Sequence, residues 1–267
     1  MPENATQETR HINYLDGWRG AAIIFVLIPH YHLTPTIMGH GLETADLGVD
    51  FFFVLSGRLM AEILFVRESP LGLFYWRRLS RIVPALMVYI AALGVLTPFV
   101  AAIAIRPIDP IIVFTTLANY IPVSGSLGQI WSLCVEEHAY LLLSVIAFLY
   151  RRGARFNLII SLSAITVAAM LSGIAQTVLL HRGFWQVYGH SDVRISSIFV
   201  SAAAYLILLH RKLPLTGART LLPVLAIAAG CLFEMLASVP APVKFILGTS
   251  LLAAGLNTLE YAPPIVR

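Results

Sequence analysis

Eight apolar runs, each close to the length needed to cross a bilayer, leave this chain few ways to fold. They fall at roughly 17–37, 47–66, 83–104, 129–150, 157–180, 194–210, 220–238 and 242–259, and about 20 apolar residues span the hydrocarbon. With 58% hydrophobic and only 12% charged residues, the chain cannot cover a water-facing surface, since a soluble domain carries about 25% charged residues. The expected fold is all-α, a polytopic integral membrane helical bundle of about eight transmembrane helices, and residues 1–267 form a single domain. The run at 111–121 is too short to span and reads as an interfacial or re-entrant piece. The polar start MPENATQETRHINY precedes an apolar run without a small-residue cleavage site, so it reads as leading into a retained first helix.

Loop charge supports this division. Arg10, Arg67, Arg77, Arg78, Arg81, Arg151, Arg152, Arg155, Arg211, Lys212, Arg219 and Arg267 lie on one side, twelve of the eighteen Lys and Arg. Arg106, Arg182, Arg194 and Lys244 lie on the other, while Arg19 and Arg58 fall inside spans. The positive-inside rule then puts both termini in the cytoplasm. The net charge of +4 is loop charge and implies no nucleic-acid partner. Cys134 and Cys231 sit inside apolar runs and read as buried thiols, not a disulfide.

Polar residues within spans are costly and mark pathways or reactions. In LDGWRGAAIIFVLIPHYHL, Arg19 and His30 are eleven residues apart, about 16 Å of rise and only about 20° of rotation. Both therefore face the same way, Arg19 near the cytoplasmic surface and His30 in the outer half. Glu136 lies about 10 Å below the outer surface on a helix of opposite direction, at a depth comparable with His30, with Ser132 and Tyr140 on its face. Asp46 and Asp50 open the second span and Arg194 the sixth, both from outside; Arg78 and Arg81 precede the third helix on the inside. Two clusters are expected: His30, Glu136, Asp50 and Arg194 outside, and Arg19, Arg78 and Arg81 inside. Plainer readings stand beside these. Arg78 and Arg81 also fit as positive-inside anchors, Asp50 as an N-terminal helix charge, and Trp131 as an interfacial aromatic. Glu137 and His138 belong to another face.

The motifs LDGWRGAAIIFVLIPH with its R-x10-H pair, VDFFFVLSGRLM, FYWRRLSRIVPAL, QIWSLCVEEHAYLLL and SDVRISSIFVSAAA resemble, in order, those of the acyltransferase-3 family of integral membrane O-acyltransferases. The resemblance is good over roughly 12–210 and rests on hydropathy afterward. It implies about ten helices, so this chain looks shortened by its last two. Arg58, His138 and Ala139 depart from the family pattern, where an apolar residue, a glutamine and an aromatic are usual. The resemblance also implies transfer of an acyl group, acetyl by family frequency, from cytoplasmic acyl-CoA to a hydroxyl of a carbohydrate or lipid-linked glycan, in the inner (plasma) membrane of a bacterium. His30, Glu136 and Arg19 would be catalytic, with His30 as general base and direct transfer favoured over a covalent route through His30 or Ser56. Arg19, Arg78 and Arg81 would bind the donor; Asp50, Ser56, Trp131, Ser132 and Arg194 would support the acceptor, the oxyanion or the structure. No metal and no tightly bound cofactor is expected, acyl-CoA being a co-substrate. The outer stretch HRGFWQVYGHSD at 181–192 suits a sugar, and equally an ordinary interfacial loop. A proton-coupled transporter and a truncated, inactive homologue are the alternative functions.

Overall fold

A computed structural model describes residues 13–31, 36–37, 40–41, 44–183, 187–211, 217–236 and 243–259. The loop residues Arg10, Lys212 and Arg267 lie outside them. Helix α1 (Asn13–His30) is followed by a two-residue antiparallel pair, Thr36–Ile37 with His40–Gly41. Then come α2 (Thr44–Ala61), continued by a π turn over Glu62–Val66, and α3 (Leu71–Leu96). The short α4 (Asp109–Phe114) precedes a 3-10 turn over Gly125–Ile130 that feeds α5 (Trp131–Arg151). Helix α6 (Leu158–Ile174) ends in a π turn over Ala175–Leu179, and α7 (Ser191–Arg211) follows. The last two are α8 (Leu222–Met235) and α9 (Thr249–Thr258), α9 being preceded by a π turn over Lys244–Gly248.

Local chemistry sets several of these boundaries. Asn157 caps α6 by accepting from the amide of Ile160 at 3.1 Å. At the end of α5, Gly153 has φ +80°, the left-handed region glycine enters without a Cβ clash. Its amide bonds Tyr150 O at 3.0 Å and that of Ala154 bonds Leu149 O at 3.1 Å, the paired bonds of a Schellman stop.

The bundle is all-α apart from the two-residue pair. Among the described residues, four helical segments are long and apolar enough to cross a membrane: Leu71–Leu96, Gly125–Arg151, Leu158–Leu179 and Ser191–Arg211. Helices α1 and α2 have 18 residues each and carry acidic and basic groups. The expected seventh and eighth spans are shorter as helices, 14 residues in α8 and 10 in α9. The third span also differs: α3 starts at Leu71, not 83, so FYWRRLSR lies inside the helix. An apolar run stops at charged residues, but arginine is a good helix former and does not stop the helix.

Helix α2 is the centre of the bundle. One face joins Phe53, Met60 and Leu64 to Val135, Tyr140 and Leu143 of α5 and to Ile198, Phe199 and Ala202 of α7. The other joins Leu47, Phe51 and Val54 to Leu15 and Ala22 of α1, Ile227 of α8 and Leu252 and Leu256 of α9. Small residues permit these close crossings. A Cβ on Gly48 would lie 2.6 Å from Val26 Cγ2, and one on Gly57 would lie 2.0 Å from the carbonyl oxygen of Ile198. The latter obstacle is backbone and cannot rotate away. Gly57→Ala is therefore expected to cost about 3 kcal/mol, at the upper end of overpacking penalties. Chaotrope unfolding in micelles reads this, and an unchanged midpoint would show that α2 and α7 separate freely.

Candidate active site

An arginine from α3 meets two adjacent carboxylates from α5. Arg78 Nε donates to Glu137 Oε1 at 2.6 Å and Nη2 to Glu136 Oε2 at 3.1 Å, with the guanidinium 3.8 Å over the Tyr140 ring. Ser56 of α2 donates to the other Glu136 oxygen at 2.9 Å. One layer thus ties three helices together, and it revises the sequence reading twice. Arg78 does not share a cluster with Arg19 and Arg81; it sits with Glu136, because α3 begins a dozen residues earlier than its apolar run and carries Arg78 upward. Glu137, assigned to another face, belongs to the layer, since the reach of an arginine spans both positions. Arg81 is exposed.

Between α2 and α5 lies a slot of about 150 Å³ lined by Val49, Phe52, Phe53, Ser132, Leu133 and Glu136. Ser132 and Glu136, spaced four apart, both line it, as one helical face requires. Ser132 donates to Gln129 O at 3.2 Å.

Behind Phe53 is a buried ion pair. Arg194 of α7 donates to Asp50 of α2 at 2.8 Å, with side-chain exposures of 0% and 1%, and Ser197 adds a bond to the same Asp50 oxygen at 3.1 Å. The guanidinium lies 5.3 Å from the Phe53 ring and 4.8 Å from that of Tyr188. Trp131 closes this cage against Tyr188 at 4.8 Å and edge-on to Phe53 at 6.0 Å. Asp50 is therefore buried and Trp131 partly buried against the cage, and Arg194 supports the slot wall from behind. Two further buried charges, Glu234 of α8 and Lys244, stand near this pair. Sequence reasoning counted Lys244 as a loop charge and passed over Glu234, although a carboxylate within an apolar run was the available signal. Arg58, one of the departures from the family pattern, is buried with Nη1 3.8 Å from Glu62 and its guanidinium 4.9 Å over Tyr205.

His30 ends α1 and is exposed, its Nδ1 2.7 Å from Val26 O. Arg19 bonds Asp16 at 3.1 Å and is 42% exposed. Among the described residues no hydrogen bond joins His30 to Glu136. Packing explains why: Gly48 lies beside Ala22 and Val26, whereas Glu136 is level with Ser56, eight residues or about 12 Å further along α2. His30 lies on the opposite side of the Gly48 level. A backbone carbonyl, not Glu136, orients its ring.

The acyltransferase-3 family profile, described as an acyltransferase domain, matches residues 12–259. O-acetyltransferase OatA of Staphylococcus aureus (strain NCTC 8325 / PS 47) is 31% identical over 180 residues, covering 60% of this chain and 29% of that protein. The putative O-acetyltransferase SACOL0978 of Staphylococcus aureus (strain COL) is 30% identical over 158 residues, 52% of this chain and 25% of that one. The similarity thus spans less than a third of these relatives' length. No solved structure matches significantly. Because the profile takes in every described helix from α1 to α9, the chain belongs to the acyltransferase-3 family.

Proposed function

We propose that the chain is a bacterial membrane O-acyltransferase that moves a short acyl group, acetyl foremost, from cytoplasmic acyl-CoA to a hydroxyl of a carbohydrate or lipid-linked glycan across the membrane. The state of His30 carries this reading. Its Nδ1 faces the Val26 carbonyl at 2.7 Å, and a carbonyl only accepts. In the neutral ring Nδ1 therefore holds the proton and Nε2 presents a lone pair at an exposed helix end. Nε2 takes the proton of the acceptor hydroxyl as that oxygen attacks the thioester carbonyl. The tetrahedral adduct collapses with cleavage of the C–S bond, and the thiolate leaves as the free thiol of CoA, recovering the proton from the imidazolium. Alcohol and thioester become ester and thiol, and the imidazole is regenerated.

Arg19 and Arg81 supply cations for the donor phosphates, as the guanidinium fork matches phosphate oxygens. Arg78 contributes when its carboxylates yield, and Glu136 acts by holding Arg78 rather than by orienting His30. The test supplies the protein in lipid nanodiscs with acetyl-CoA and a glycan extract. Thiol release is expected only with both substrates present. Release that ignores the acceptor, or none with any glycan fraction, would remove the reading.

A further inference from the structure

A second cavity, of about 650 Å³, opens beside the start of α7, and nothing above uses it. Its walls include Asn119, Tyr120, Pro122, Arg182, Gly189 and His190, and its size is that of a small-molecule site. The wall is pre-organised. Arg106 pairs with buried Asp109 and also donates to Pro122 O at 2.5 Å, while Ser124 donates to Asp109. Burial opposes the charge on Asp109, but the bonds from Arg106 and Ser124 outweigh it and hold its pKa down at about 2, so this brace stays ionised well into acid.

Three features give the cavity its chemistry. Tyr120 and His190 pack 4.8 Å apart at 43°, with the Tyr120 hydroxyl held by Asp192 at 3.1 Å, making an aromatic floor with a polar edge. Asn119, 7% exposed, donates to Ser191 Oγ at 2.7 Å and to Gly189 O at 3.3 Å. Because the Gly189 carbonyl only accepts, the amide cannot be turned over, and Asn119 Oδ1 is left without a partner among the described residues. That oxygen is enclosed by the protein, so Asn119 fixes the wall of the cavity. Arg182 is exposed and donates to the neutral amide oxygen of Gln176 at 2.9 Å. No carboxylate lies within ion-pair distance of it among the described residues, because Asp192 is taken up by Tyr120, Ser172 and Gln176.

We propose that this cavity binds an anionic saccharide as the acceptor, its ring on Tyr120 and His190 and its carboxylate or phosphate on Arg182. The proposal rests on the acyltransfer reading for the word acceptor alone; the binding itself needs no donor. The test is binding to the 267-residue chain in nanodiscs, without acyl-CoA, of a glucuronate-containing disaccharide, glucose 1-phosphate and maltose. At least one anionic probe is expected to bind tenfold or more tightly than maltose, and the stronger of the two identifies carboxylate or phosphate. Arg182→Gln should erase that preference and Arg182→Lys should keep part of it, with both variants unfolding at the wild-type temperature. Equal binding of all three probes, binding of none, or an Arg182→Gln variant indistinguishable from wild type would overturn the proposal. Intact, Arg182-dependent binding without any acyl transfer would instead remove the proposed function and leave the cavity's ligand class standing.

Discussion

His30→Gln is expected to lower acyl transfer by about 10²–10⁴-fold, the contribution of a positioned general base, while the protein folds as before. The side chain is exposed at the end of α1 and its hydrogen bond goes to a carbonyl of its own helix. Glutamine can still donate to the Val26 carbonyl, so what disappears is the basic lone pair. The loss should fall on kcat, with KM for acetyl-CoA nearly unchanged, because the donor's phosphates are assigned to Arg19 and Arg81. Steady-state kinetics with the acceptor saturating separates the two. A kcat within twofold of wild type would put the base elsewhere, and a rise in KM alone would make His30 a binding group.

The second large effect concerns stability. Arg194→Met should destabilise the protein by about 3–5 kcal/mol, the usual result of leaving one buried charge without its partner. Asp50 is fully buried on α2, and Arg194 and Ser197 of α7 hold it across 144 and 147 residues of sequence. Methionine fills part of the guanidinium's volume under Phe53 and Tyr188 but offers the carboxylate nothing. Adding Asp50→Leu should recover most of the loss, since replacing both members of a buried pair by apolar groups is often close to neutral. Chaotrope titration of the two single variants and the double in micelles measures the coupling. Three equal midpoints would mean that the pair does not hold α2 to α7. A double variant as unstable as Arg194→Met would shift the weight to Asp46, Glu234 and Lys244, further buried ionisable groups in that region.

The amino-acid sequence by itself determined what depends on the geometry of one helix. Lipid as the solvent follows from composition, and the spacing of four that puts Ser132 and Glu136 on one wall of the slot follows from the helical repeat. Asp50 and Arg194, each within the first turns of its helix, were legible as members of one end of the bundle. Tertiary structure decided how far each helix is shifted along its neighbours. Gly48 seated on Val26 and Gly57 on Ile198 set those offsets, and no local period encodes them. They are why His30 and Glu136 lie at different levels, while the early start of α3 brings Arg78 to Glu136 and Glu137. Side-chain spacing within a helix is a property of the backbone, fixed at about 1.5 Å and 100° per residue. The register between helices is settled by close packing of distant residues, where a single missing Cβ admits a neighbour's carbonyl.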